Sequence, residues 1–582
     1  MKIDPITTEV IASRLGEIAN AMEYALYHAG YSPILRESKD GTAGLADADG
    51  RMVMIGGGLQ YHLLSYEQAV RAVKVRYPAG RMKPGDSYIL NDPYVAGNAH
   101  APDLVAVTPA FHAGALVGFG VSMAHKADIG GIVPGSSGAA ATEIFHDGLL
   151  LPPVRFQTAD GVEQDIEGIV RNNSRVPDMV MGDIRAQVGC TRLGAERLVE
   201  LCEEYGADTV TAALHGLTAV TAQRLGAELS TWPDATGEAE GFLDHDGHSK
   251  GKKIRVHVRA VKQGNRILFD FSGSDPQATG PVNLIATVTR SVSLMALVAT
   301  ADPTIRINSG ISGAVDFNIP EGKVISPARP ATVNLYFPTA NLAYCCVLSA
   351  LGRLHPARAV APSGLGTGGI SIGFPKSSRT GKPDVLYELK ATSLGGTARR
   401  DGASIVMPVS HFTPATSVEV LETEYPVRIN RFDMRRDSAG AGRYRGGVGY
   451  VREYEVLDEC VLTVRSSNHK YPAWGINGGR SPLPSRVVFN PDREDCELFD
   501  TIVTRRLKAG DVVCFEQSGG AGFGDPTERD PELVLADVRN GYVGRDEARQ
   551  TYGQPLPDEA AAPRPDREDV APDPALATAS TP

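Results

Sequence analysis

Two apolar runs, "LVAVTPAF" (Leu104–Phe111) and "ALVGFGVSMA" (Ala115–Ala124), are separated only by His112-Ala113-Gly114. A gap this short leaves the second run no route except back along the first, so the spacing predicts an antiparallel hairpin. In such a pair the start of the first strand lies beside the end of the second. His100 and Asp103 stand just before the first strand, and His125 just after the second. With the turn near Ala113, Asp103 is expected roughly opposite Ala124. One end of one hairpin then gathers two imidazoles and a carboxylate. That donor set suits zinc, manganese or iron(II) better than calcium or magnesium. The same residues also read as polar caps of loops, and spacing alone leaves both readings open.

Around the hairpin the pattern is mixed, and the fold class expected is α+β, multi-domain and β-rich, with mixed and antiparallel sheets and an N-terminal α/β metal-binding region. Ile11, Leu15, Ile18, Met22 and Leu26 recur at helical spacing between Asp4-Pro5 and Gly30. A second helix is expected between Leu59 and Tyr77, and a strand–turn–strand unit in "ESKDGTAGLADADGRMVMIGGG". Helices are expected across Arg185 to Leu229. "KIRVHVRAV" alternates as a half-buried strand, pairing with "RILFDF", and a helix follows near Thr287 to Ala301. At 582 residues, two to four domains are expected. The boundaries read are 1–231 for the metal-binding catalytic region, 232–400 for a central α+β region, 401–553 for a β-rich region and 554–582 for a tail. Pro, Ala, Asp and Glu dominate that tail, which reads as disordered.

Composition removes several function classes. The formal charge is -11 and there is no basic run, which argues against nucleic-acid binding. The seven cysteines are scattered without a C-x-x-C pair, so they read as reduced thiols of a cytoplasmic protein. Arg14, Glu17 and Glu23 break the first apolar stretch, and no uncharged run is long enough to span a membrane.

Six motifs in order carry a resemblance: "ESKDGT" (Glu37–Thr42), "NDPY...H.PD" (Asn91–Asp103), "AHKADIGG..PGS" (Ala124–Ser136), "DFSGSDPQATGPVN" (Asp270–Asn283), "RRDSAGAGRYRGGVG" (Arg435–Gly449) and "SGGAGFGDP" (Ser518–Pro526). The chain resembles the hydantoinase B/oxoprolinase family, the subunit class of ATP-dependent hydantoinases, lactamases and acetone-type carboxylases. The resemblance implies a divalent transition metal, zinc before manganese or iron, held at four matching positions: Asp40, His100, Asp103 and His125. It implies a hetero-oligomer with an actin-like ATPase subunit of the hydantoinase A type, which uses ATP to phosphorylate the carbonyl oxygen of a lactam or hydantoin. The family loop reads D-P-Y-x-G-G-T-H, whereas Asp92 to His100 is one residue longer, with Ala96 and Asn98 in unusual positions.

The chemistry follows physically. Phosphorylating an amide oxygen creates an imidate-like carbon that water can attack, and a bound metal makes that water a better nucleophile. Asp128, three residues after His125, is a candidate to take the proton, with holding the Gly130-Gly131 turn as its other reading. Gly364-x-Gly366-x-x-Gly369 leads into a strand, not a helix, so it is not a dinucleotide loop. The glycine-rich segments "RYRGGVG" and "SGGAGFGDP" read as tight turns or as nests for phosphate. His245-Asp246-Gly247-His248 reads as an exposed hairpin turn, and Arg36 and Arg445 as salt-bridge partners or phosphate ligands. Without a Walker A sequence, ATP chemistry is expected in a partner. Ring-opening hydrolysis, carboxylation of a phosphorylated enol, and a non-catalytic assembly role remain the open functions.

Overall fold

Asp4 caps the first helix: its carboxylate accepts the Thr7 N–H at 3.0 Å. This helix, α1 (Pro5–His28), buries Ile11, Leu15, Met22 and Leu26 along one stripe, each worth about 1.5–3 kcal/mol of burial. In this computed structural model, which describes residues 4–366, 368–407 and 413–555, the expected strand–turn–strand unit follows as β1 (Gly41–Asp47) and β2 (Met52–Ile55), then α2 (Leu63–Arg76). Next come β3 (Ser87–Leu90), β4 (Asp103–His112), β5 (Ala115–His125), β6 (Val154–Thr158) and β7 (Gly161–Val162). The helices α3 (Gln164–Asn172), α4 (Pro177–Tyr205) and α5 (Ala207–Ser230) complete this part. They begin well before Arg185. Pro177 at the first helical position starts α4 rather than breaking it.

The seven strands form one antiparallel sheet in the order β2-β1-β5-β4-β3-β6-β7. Ala113 (φ 48°) and Gly114 (φ 83°) make the two-residue turn of the β4–β5 hairpin, both left-handed as its twist requires. Phe119, Val121 and Met123 of β5 share a core with Tyr66 and Val70 of α2. Gly118 and Gly120, on the opposite face, let α4 approach: a Cβ on Gly118 would sit 2.7 Å from Leu198, and one on Gly120 would overlap the Thr191 carbonyl.

A second sheet has the order β11-β10-β9-β8, built from β8 (Ala235–Leu243), β9 (Ile254–Gln263), β10 (Arg266–Asp270) and β11 (Val315–Asn318), with α6 (Ala286–Ala301) between the last two. Against β8 and β9 packs α7 (Phe337–Leu354), in which every residue except Arg353 is buried. A helix buried nearly all round has no solvent-facing side to set a 3.6-residue period, which is why the sequence pattern does not reveal it.

Two further sheets sandwich a third core. One has the order β13-β12-β16-β19 and the other β14-β15-β20-β17-β18. The strands are β12 (Gly368–Phe374), β13 (Asp384–Lys390), β14 (Val427–Met434), β15 (Tyr450–Val456), β16 (Cys460–Arg465), β17 (Arg486–Phe489), β18 (Glu497–Phe499), β19 (Ile502–Leu507) and β20 (Val512–Glu516). Ile370, Ile372 and Phe374 of β12 meet Tyr454, Val513 and Phe515 across the gap. The pairing of β12 with β16 takes strands from both sides of residue 400. Short helices α8 (Pro531–Arg539) and α9 (Arg545–Gln550) follow. The expected disordered tail lies, from residue 556 on, outside the described residues. Among the described residues no helix is long and apolar enough to cross a membrane.

The two glycine-rich segments run against each other. Tyr444 and Phe523 exchange backbone hydrogen bonds at 3.0 and 2.9 Å, and Gly520 N–H donates to Gly447 O at 2.9 Å. These amides serve the packing of one segment on the other. His245 and Asp246 are buried, not exposed as a turn. His245 Nε2 lies 2.5 Å from Asp500, and the Asp246 carboxylate accepts the N–H groups of His248, Ser249 and Gly280. Contacts from distant segments cover this connection, which local sequence does not show. Arg36 pairs with Glu37 and Glu424, and Arg445 with Asp537.

Candidate metal centre

The hairpin register differs by one from expectation. Ala110 pairs with Gly118 but Phe111 pairs with Leu116, so Val117 is an extra residue in β5, a β-bulge. Below the bulge Asp103 stands opposite His125, and Leu104 opposite Ala124. Directly opposed residues point to the same face of a sheet, so Asp103 and His125 meet. On the other side of β5, Gly41 pairs with Ala124, and the His125 N–H donates to Asp40 O at 3.0 Å. Asp40, His125 and Asp103 thus occupy one row across three neighbouring strands, at the same end of the sheet.

His100 reaches them from the loop before β4. Asp92 caps a single helical turn, Pro93–Ala96, and Gly97 ends it at φ 72°. The longer loop then uses Asn98, which is fully buried. Its amide nitrogen bonds the carbonyls of Asn91, His100 and Asp103 at 3.0, 2.6 and 3.0 Å. The residue that departs from the family pattern therefore fixes the backbone on both sides of His100.

His100 Nδ1 lies 2.9 Å from Asn334 O and 3.0 Å from Asn334 Oδ1. Both partners are acceptors, so Nδ1 carries a proton, and Nε2 is the ring nitrogen left to offer a lone pair to a metal. That Nε2 is 3.1 Å from Asp103 Oδ1 and 3.2 Å from His125 Nδ1, and His125 Nδ1 is 3.2 Å from the same oxygen. Ligands about 2.0–2.1 Å from one metal stand roughly 2.9–3.4 Å apart. This triangle has that size. Asp103 Oδ2 and His125 Nε2 are buried without hydrogen-bond partners. The donor set and spacing fit a divalent transition metal.

Burial raises the Asp40 carboxyl to about 7, with the Asp103 charge adding to it. Burial drops the His125 imidazole to about 4, leaving it neutral, as a ligand must be. Burial works against the charge on both His100 and Asp103, yet each favours the other's charged form: Asp103 raises the His100 imidazole, and His100 holds Asp103 well below the usual carboxylate range, a pairing that a bound metal would replace.

Asp40, His100 and His125 line a cavity with Tyr61, Tyr336, Tyr387 and Arg465. Tyr61 and Tyr336 join through their hydroxyls at 2.9 Å, and the Tyr387 ring lies 4.1 Å from that of His125. The cavity holds about 20 Å³, room for little more than one water-sized species. None of the four was singled out from sequence. Tyr336, Tyr387 and Arg465 come from segments more than 200 residues beyond the hairpin, and nothing local marks any of the four.

A model of the hydantoinase B/oxoprolinase family matches residues 4–526. This chain belongs to the hydantoinase B/oxoprolinase family. The caprolactamase subunit beta of Pseudomonas jessenii is 29% identical over 564 residues, covering 95% of this chain and 96% of that one. The crystal structure of ATP-dependent caprolactamase from Pseudomonas jessenii matches with a TM-score of 0.88 at 28% identity, covering 96% of this chain and 97% of that one. The nucleotide-free structure of acetone carboxylase has a TM-score of 0.87 at 19% identity, covering 94% of this chain and 79% of that one, and shows a shared fold.

Asp128 does not join the cavity wall. One carboxylate oxygen accepts the Gly130 and Arg175 N–H groups, both at 3.0 Å. The other accepts Gly135 N–H and Arg175 Nη1, both at 2.9 Å. Its oxygens hold the turn that follows His125, the second of the two roles the sequence allowed.

Proposed function

We propose that this chain is the metal-bearing, ring-opening subunit of an ATP-dependent cyclic amidohydrolase acting on a lactam or hydantoin. The observation that carries the reading is the buried triangle of His100, Asp103 and His125 with Asp40 beside it. Zinc is the first choice of metal, manganese or iron the second, with Asp40 as fourth ligand. A bound cation supplies Lewis acidity that makes water nucleophilic near neutral pH. The chain's residues do the rest. Asn334 fixes the His100 tautomer, and Asp103 orients both imidazoles. Tyr61, Tyr336 and Tyr387 keep bulk water out. A ring of hydantoin size needs more room than the cavity offers, so this aromatic wall must part to admit it.

ATP use is assigned to a partner, an actin-like ATPase of the hydantoinase A type, in a cytoplasmic hetero-oligomer. The test is a mixture of the purified chain with a purified ATPase subunit of the hydantoinase A type, given caprolactam, hydantoin or 5-oxoproline. ATP-dependent ring opening that His100→Ala abolishes is expected. Turnover that needs bicarbonate and leaves a carboxylated product would replace hydrolysis with carboxylation. Ring opening by the ATPase alone would make this chain an assembly subunit.

A further inference from the structure

Arg465, the last residue of β16, carries a buried guanidinium with one edge unused. Its side chain lines the metal cavity, and the residue is 6% exposed. Nη1 is engaged by the Tyr387 hydroxyl and, at 3.4 Å, by Ser137 Oγ. Nε and Nη2 are buried and have no hydrogen-bond partner. Among the described residues, no carboxylate forms a salt bridge with Arg465. Buried arginines elsewhere in the chain are paired: Arg452 with Glu388, and Arg529 with Asp401 and Asp537. An uncompensated buried charge is destabilising unless something supplies the counter-charge.

The free edge is the one that grips oxyanions. Nε and Nη2 present two parallel N–H bonds, and this chain uses that edge repeatedly. Arg266 holds Asp316 through Nε at 3.0 Å and Nη2 at 2.7 Å, and Arg486 holds Glu516 at 2.6 and 2.8 Å. Space at Nη2 comes from Gly369, where a Cβ would lie 2.5 Å from that nitrogen, and Gly369 lines the same cavity. A divalent cation balanced by Asp40 and Asp103 leaves the Arg465 charge over. We infer that Arg465 and Gly369 form an oxyanion-binding subsite beside the metal centre, which takes a phosphoryl or carboxylate group of the reacting molecule. The subsite follows from the guanidinium alone; its assignment to the reacting molecule rests on the hydrolase reading above.

Isothermal titration of the full-length chain, zinc-loaded and metal-depleted, with inorganic phosphate and with acetate tests this without turnover. The expected result is binding of one of the two anions that weakens about tenfold or more in Arg465→Met and less in Arg465→Lys, whose point charge lacks the fork. Gly369→Ala keeps the charge but crowds Nη2, and should weaken the same anion with zinc content unchanged. Tighter phosphate identifies a phosphoryl group, and tighter acetate a substrate carboxylate. Equal affinity in wild type, Arg465→Lys and Gly369→Ala would overturn the proposal, as would absence of binding to the wild type. So would binding that vanishes with zinc but ignores Arg465. If Arg465→Met does not fold, the other two variants decide. Because no ring opening is measured, failure of the hydrolase reading leaves this result readable.

Discussion

Asp103 faces His125 because Val117 is one residue too many in β5. Counted from the turn without that bulge, Asp103 would face Ala124, and His125 would point to the other side of the sheet. Deleting Val117 should therefore separate the two ligands and lower metal affinity by at least ~10–100-fold, the scale of lost ligand positioning. Val117→Ala keeps the residue count and should retain the metal. Metal content by elemental analysis, with circular dichroism to confirm folding, distinguishes the two. A deletion variant that keeps full metal content would show that the bulge does not set the site.

If His100, Asp103 and His125 hold the proposed metal, each should be separately necessary. His100→Ala, His125→Ala and Asp103→Asn are each expected to leave the protein folded but largely metal-free after dialysis, while the wild type keeps about one equivalent. Retention of metal by all three variants would remove the centre from this hairpin.

Asn334 acts through His100. Its two oxygens hold the Nδ1 proton at 2.9 and 3.0 Å, which leaves Nε2 as the ring nitrogen open to the proposed metal. Asn334→Ala should weaken metal binding by about 10–100-fold, and Asn334→Asp, which keeps the side-chain acceptor, by less. A chelator competition titration measures this. Equal affinity in Asn334→Ala and the wild type would leave the backbone carbonyl as sufficient tether.

Asp40 predicts a pH dependence with a definite sign. Burial raises its folded pKa to about 7, above the roughly 3.9 of an unfolded chain. Its contribution to stability is fully present below pH ~4 and is lost as pH rises toward 7. In metal-depleted protein, Asp40→Asn, which mimics the protonated acid, should gain melting temperature relative to wild type between pH 5 and pH 7.5. With metal bound the order should reverse, because the variant lacks a ligand. A difference that stays flat with pH in metal-depleted protein would mean Asp40 does not titrate in this range.

How much of this was legible in the sequence follows from where each residue comes from. The hairpin, α1 and the β9 strand announce themselves through local periodicity and turn residues. His100, Asp103 and His125 were legible because one short turn brings them together. The bulge was not: Val117 is apolar and fits a strand in either register. Asp40 could be placed only by resemblance, since its row depends on β1 pairing with β5. Asn334, Tyr387 and Arg465 arrive from segments over 200 residues downstream, where sequence carries no signal of contact.

The last prediction concerns a buried charge cluster away from the proposed metal centre. Glu388 meets Lys390 at 3.2 Å and Arg452 at 2.6 Å, and the Tyr454 hydroxyl bonds both Glu388 and Lys390. Glu388, Lys390, Arg452 and Tyr454 are almost wholly buried. Burial lowers the Lys390 pKa to about 7 even with Glu388 beside it. Glu388→Gln removes the only carboxylate these two cations share among the described residues. Breaking such a set is expected to destabilise by ~3–5 kcal/mol. The loss has a pH signature. Below about pH 7 Lys390 is charged in the wild type, so the variant must either bury two unpaired cations or deprotonate the lysine. Above that pH Lys390 is already neutral and less is lost. Urea unfolding at pH 6 and pH 8.5 should show the larger difference at pH 6. A destabilisation under ~1 kcal/mol at pH 6 would mean that the cluster reorganises around Tyr454 and holds without its acid.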